Sequence, residues 1–126
     1  MNLVDSSGWL EYLSDGPNAS FFEKPLGAPG DLIVPTLCLY EVFKVVLRER
    51  GESDAIQAAA LMQQSRLAEL TGDVALLAAR LSLKNKIPMA DSIIAATAAL
   101  YKAVIWTQDE DFKVLEGVKY ISKKKK

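Results

Sequence analysis

Four acids, Asp5, Glu41, Asp91 and Asp109, stand where a chain of this pattern would gather them. The sequence holds no histidine and one cysteine, Cys38. The commonest general base and the commonest zinc ligand are therefore missing. Serine–histidine and cysteine–histidine catalysis within the chain are excluded with them. Chemistry must rest on carboxylates, hydroxyls, lysine or a hard metal ion. Several carboxylates a few ångströms apart repel, and at least one pKa rises. A divalent cation removes that penalty. Mg2+ takes oxygen ligands and favours one or two direct carboxylates with phosphate oxygens, and Mn2+ suits the same ligands. A metal-activated water is then the nucleophile, and a phosphodiester the natural substrate.

Each acid also has a simpler reading. Asp91 lies near the start of the alanine- and isoleucine-rich segment 87–98. On a helix it shares a face with Ile94, Ala95 and Ala98. A carboxylate on that small apolar face is expensive unless paired, hydrogen-bonded or on a metal. As a first-turn acid behind Pro88 it would merely favour the helix dipole. Asp5 would make an Asx-turn or cap a first helix. Glu41 would pair with Lys44 for about 0.2–0.5 kcal/mol. Thr107-Gln108-Asp109-Glu110 reads as a capping box, with Thr107 as N-cap and Glu110 at N3. None of these explains why every acid falls at one edge of the fold that the elements predict.

Those elements follow from hydrophobic period and turn residues. Residues 1–5 read as a short buried strand ending in Asp5, and Ser6-Ser7-Gly8 opens a helix containing Trp9, Leu10 and Leu13. Residues 15–18 break it, and 19–24 form a short helix with Phe21 and Phe22 as anchors. Residues 25–30 are a Pro/Gly loop, and 31–35 a second strand. Thr36 is read as N-cap of a helix to Arg50, stopped by Gly51, with Leu37, Tyr40, Phe43 and Leu47 inward, Val45 and Val46 widening the stripe, and Glu41 within it. A helix over 53–65 turns Ile56, Ala59, Ala60 and Met62 inward. Residues 67–70 make a short strand, and Thr71-Gly72-Asp73 a turn and cap. A helix over 74–86 follows, with Leu77, Leu81 and Leu83 on its apolar side. The Asp91 helix then runs to about Lys102. Residues 103–107 are a strand, 108–112 start a helical turn, and 117–121 are an edge strand. Strands alternating with helices imply a parallel α/β sheet with helices on both faces. Sites in such folds form at the carboxyl ends of the strands. Asp5 and Asp109 sit at such ends, and the helices carrying Glu41 and Asp91 begin at the same edge.

The 126 residues fit one domain with a real core. No apolar run reaches membrane-span length, residues 1–5 do not read as a signal peptide, and a lone cysteine fits a reducing, cytoplasmic setting. Four of the 15 basic residues are residues 123–126, leaving 11 basic against 16 acidic residues, a net of −5 for the body. That is no basic nucleic-acid clamp. The lysine run is read as a solvated, disordered tail.

The chain resembles the PIN-domain family, specifically the VapC-type toxin nucleases of type II (VapBC) toxin–antitoxin systems. The resemblance spans nearly the whole chain. It rests on Asp5-Ser6-Ser7, on Glu41, on the segment from Asp91 to Ala98, and on the run Thr107-Gln108-Asp109-Glu110-Asp111-Phe112. It implies a PIN-like three-layer α/β/α fold with a mainly parallel sheet over residues 1–122, the lysine tail excluded. It implies an endoribonuclease assisted by Mg2+ or Mn2+. Asp5, Asp91 and Asp109 would position the metal, and Glu41 would hold metal or orient the attacking water. Thr107 and one of Ser6 or Ser7 would hydrogen-bond the carboxylates or the water, with Asp111 as a second-rank candidate. It also implies a homodimer and a VapB-type antitoxin that inserts a segment into the acidic groove and carries the DNA-binding half of the pair. Phe21, Phe22, Tyr40, Arg48 and Arg50 are compatible with that partner, but core and solvated face explain them as well. A phosphatase built on a strand-ending aspartate would want a second acid where Ser7 stands. The remaining alternative is a catalytically inactive PIN-like scaffold that acts as a protein-binding module.

Overall fold

Short aliphatic runs supply the sheet. The computed structural model describes residues 1–125. In it, β1 (Asn2–Val4), β2 (Leu32–Pro35), β3 (Arg66–Ala68), β4 (Val104–Thr107) and β5 (Lys119–Tyr120) form one sheet in the order β3-β2-β1-β4-β5. Every pairing is parallel. Leu3, Val4, Ile33 and Val34 are fully buried without alternation, as strands covered on both faces require. The chain steps outward from β1 through β2 to β3, then returns to the other side of β1 as β4. The direction of winding switches between β1 and β4, and open parallel sheets bind ligands at such a switch, beyond the carboxyl ends.

Among the described residues six helices cover the sheet: α1 (Ser6–Leu13), α2 (Ala19–Leu26), α3 (Thr36–Arg50), α4 (Glu52–Met62), α5 (Gly72–Asn85) and α6 (Met89–Tyr101). They pack as consecutive pairs, α1 on α2, α3 on α4 and α5 on α6. The α/β/α order agrees with expectation. Among the described residues no helix is long and apolar enough to cross a membrane. Of the lysine tail, Lys126 lies outside the described residues.

The differences from expectation have local causes. Helix α2 continues through Pro25 into the stretch expected as loop, because Pro25 is buried and the Gly27 N–H closes the last turn on the Glu23 carbonyl at 2.8 Å. A 3-10 turn, Pro29–Asp31, then leads into β2. Thr36 is the first helical residue, not the cap; Pro35 holds the cap position and feeds strand directly into helix with φ −59°. Strand β5 spans two residues instead of five, and β3 ends at Ala68. Thr71 does cap α5, accepting from the Val74 N–H at 3.2 Å.

Part of the inward faces follows expectation, with Val46 and Met62 buried and Leu37, Phe43, Leu77 and Leu81 packed against the core, and part does not. Helix α3 buries Cys38, Val42 and Val46 and leaves Tyr40 60% exposed. Helix α4 buries Ala55, Ala58 and Met62 and exposes Ile56. Helix α5 buries Val74 and Ala78 and leaves Leu83 exposed. Closely paired helices seat small side chains at the contact and push bulky ones to its margin. Helix α6 follows expectation, with Ile94, Ala95 and Ala98 all buried.

Gly8 shows how tightly the start of α1 is packed. A Cβ there would stand 2.6 Å from both Phe22 Cε1 and Val4 Cγ1, two core side chains with no room to withdraw. Gly8→Ala is therefore expected to destabilise the protein by about 1–3 kcal/mol despite alanine's higher helix propensity. A urea midpoint equal to or above wild type would contradict this packing.

Candidate metal centre

The end of β1 builds the first part of the site. The Asp5 N–H still bonds to the Trp106 carbonyl at 3.2 Å, so the residue is held in sheet register. Its side chain turns back as the N-cap of α1 and accepts from the Gly8 N–H at 2.9 Å. Ser7 Oγ donates to it at 2.8 Å, and Thr107 Oγ1 at 2.6 Å. The cap reading is thus correct, and the same cap fixes where the carboxylate points. Asp5 is 2% exposed. Burial pushes its carboxyl up to about 6, against the pull of the Thr107, Gly8 and Ser7 donors, with the charge of Asp109 adding to the rise.

Thr107 ties the ends of β1 and β4 together. Its hydroxyl donates to Asp5 and accepts from the Asp109 N–H at 2.9 Å. The expected capping box does not form, because this two-residue turn occupies the Thr107 oxygen. The cap of the following 3-10 turn, Glu110–Val114, is Asp109, which accepts from the Asp111 N–H at 2.9 Å. Thr107→Val leaves a buried carboxylate short of a donor. It is expected to cost about 1–3 kcal/mol, more at pH 7 than at pH 4.5. Thr107→Ser should retain most of the stability, and urea melts at the two pH values measure both effects.

Asp91, Asp109 and Asp111 each place a carboxylate oxygen within 4.8 Å of the others. Asp91 comes from the first turn of α6 and is half-buried. Burial raises its carboxyl to about 7, joined by the charges of Asp109 and Asp111, a hydrogen bond with Asp111, and the charge of Asp5. The Asx-turn at Asp109 swings residue 111 back toward Asp91, so the acid ranked second in the sequence joins the tightest group. The i, i+2 acid spacing on a turn was the signal for it. The donor set is all oxygen, and among the described residues no lysine or arginine lies within ion-pair distance of it. Such a set fits a hard divalent cation.

Asp5 and Glu41 lie outside this tight group. Asp5 reaches it electrostatically. Glu41 accepts from Ser6 Oγ at 2.7 Å. It does not pair with Lys44, whose ammonium lies 3.4 Å from the Tyr40 hydroxyl. The two serines divide the work, Ser6 on Glu41 and Ser7 on Asp5. Cys38, one turn before Glu41, is fully buried, and burial pushes its thiol far up. Of the aromatic pair in α2, Phe22 is core, and Phe21 packs on the Trp106 ring at 5.1 Å.

The acid cluster thus lies at the switch point of a parallel sheet, the edge at which open α/β folds bind ligands. A family model of the PIN domain matches residues 3–118, and the chain belongs to the PIN domain family. Among curated protein sequences nothing matches it significantly. Solved structures do. A toxin–antitoxin complex from Klebsiella pneumoniae superposes with TM-score 0.79 at 21% identity, covering 94% of this chain and 95% of that one. VapC20 of Mycobacterium tuberculosis, a sarcin–ricin-loop-cleaving toxin, superposes with TM-score 0.80 at 18% identity, covering 94% and 98%. FitAcB of Neisseria gonorrhoeae gives TM-score 0.75 at 20% identity, covering 97% of each chain.

Proposed function

We propose that this protein is a divalent-cation-dependent endoribonuclease, the toxin half of a VapBC-type toxin–antitoxin pair. The observation that carries the reading is the Asp91–Asp109–Asp111 cluster, three carboxylates without a basic partner among the described residues, at the switch point of a PIN fold. Mg2+ or Mn2+, when bound, would supply Lewis acidity to a phosphodiester and a lowered pKa to water. Asp91, Asp109 and Asp111 would hold the cation. Asp5, with its three donors already fixed, would set the negative field around it. Glu41, held by Ser6, would orient the attacking water. Thr107 and Ser7 would keep Asp5 ionised at neutral pH by donating to it. An inactive binding scaffold has less support, because it would need no such concentration of carboxylates, which adds to the effect of burial in raising the pKa of Asp91.

The partner side of the reading rests on a groove whose lining includes Ser7, which donates to Asp5, and Gln108, the chain neighbour of Asp109. Helices α1, α3 and α4 line a cavity of about 660 Å³ with Leu10, Leu13, Val45 and Leu61, and it reaches Ser7 and Gln108. An amphipathic antitoxin segment would fill it and extend an arginine or lysine toward the carboxylates. DNA would be met only through that antitoxin. The outer faces of α5 and α6, where Leu76, Leu83 and Leu100 are exposed, suit a homodimer. Residues 1–122 would be the working domain, in the cytoplasm.

Mapping cleavage ends on total RNA, with Mg2+ or Mn2+ and then with EDTA, tests the activity. Discrete ends that need the metal are expected. Identical RNA with and without metal would leave the scaffold reading in its place.

A further inference from the structure

We propose that Asn18 is a positioning residue for the acidic cluster, acting through Gln108; the inference rests on the cation-site reading above. Asn18 precedes α2 and is 1% exposed. Asparagine is a favoured N-cap, yet its side chain makes no cap bond to α2. Its amide nitrogen instead donates to Gln108 Oε1 at 3.0 Å and to the Ser122 carbonyl at 2.9 Å. The Ser122 oxygen only accepts, so it fixes which way the Asn18 amide faces. Gln108 must then present its own oxygen to Asn18, so the orientation passes along the chain. The backbone of Asn18 is anchored too, its N–H donating to Glu11 Oε2 at 2.7 Å.

Gln108 is the residue between Thr107 and Asp109, and it is nearly buried. On one side of it Thr107 donates to Asp5, and on the other Asp109 enters the carboxylate group. The Thr107 carbonyl also accepts from Ile121 N–H at 3.0 Å, next to the Ser122 that Asn18 holds. Asn18 therefore clamps the loop after β4 from the side of α1 and α2, remote from the carboxylates themselves. Without it, the turn keeps its bonds from Asp109 N–H to Thr107 and from Asp111 N–H to Asp109, but Gln108 between them loses its anchor to α2.

The test is calorimetric titration with Mn2+, at a temperature where every variant is folded, on wild type, Asn18→Ala, Gln108→Ala and the double variant. Thr71→Ala, which strips the cap of α5, controls for loss of stability alone. Asn18→Ala should weaken Mn2+ binding by about tenfold, the size seen when a group orienting a ligand is lost. Gln108→Ala should do the same, and the double variant no more than either. Thr71→Ala should bind like wild type. Binding by Asn18→Ala within twofold of wild type overturns the proposal and leaves the cation site standing. Additive losses in the double variant, or an equal loss in Thr71→Ala, overturn it as well. If wild type itself binds no Mn2+, the cation reading falls and this inference falls with it.

Discussion

Asp91→Asn is expected to fold, to gain stability without metal, and to cut RNA at least about 100-fold more slowly than wild type. The two effects have one cause. Asp91, Asp109 and Asp111 crowd their oxygens within 4.8 Å, and the resulting repulsion helps raise the Asp91 carboxyl to about 7. An amide of the same shape removes one charge from that group, so the apo protein is relieved. The same charge is what would bind a cation and stabilise a transition state richer in negative charge than the ground state. Sites that trade stability for function behave this way. Melting curves and cleavage rates on the same preparation decide it. A variant that is less stable and fully active would mean that Asp91 is a structural acid of the α6 first turn.

The second large effect is the dependence of stability on pH. Asp5 titrates at about 6 and Asp91 at about 7 in the folded chain, both above the ordinary 3.8. Below about pH 3 both are protonated whether the chain is folded or not. Between pH 4 and 7 the folded chain keeps protons that the unfolded chain releases, so raising pH favours unfolding. Their contribution is thus fully present below about pH 3 and lost as pH rises through 6 and then 7. For Asp5 the loss is on the order of 2–3 kcal/mol. Asp91 is half-exposed, and solvent screens its share to less than its pKa alone suggests. Plotting the stability of wild type minus that of Asp5→Asn against pH, in EDTA, isolates the first group. The difference should fall from pH 4 to 7. Saturating Mg2+ or Mn2+ should restore stability at pH 7, by about 2.7 kcal/mol at a hundred times Kd. A difference that rises with pH would show that Asp5 is ionised throughout, its donors outweighing its burial.

The order of strands and helices was legible because it rests on local chemistry. Aliphatic runs, Gly51, Thr71 and the proline at 88 mark their elements wherever they stand. The acids were legible as strand-end residues for the same reason. What was not legible is how one element seats on another. Leu83 and Tyr40 look like core by residue type, but Ala78 and Cys38 occupy the contact because paired helices approach closely. Gly8 reads as a helix-opening residue, and only the position of Phe22 shows that it must be small. Thr107 fits a capping box in sequence, and only the arrival of Asp5 from β1 turns its hydroxyl elsewhere.

The sequence by itself narrowed the chemistry: with no histidine and one cysteine, carboxylates, hydroxyls, lysine or a hard metal ion are what remain. It also determined which strand ends carry acids. Tertiary structure decided the membership of the cluster. Asp111 entered it through a turn, while Glu41 stayed outside with Ser6. Separations of a few ångströms between residues about 20 or more apart depend on helix seating and turn type, and a shift of one residue in either redirects a side chain. Asn18 shows the same limit. Nothing in its neighbours along the chain points to Gln108, ninety residues away, yet the fold places their amides in contact.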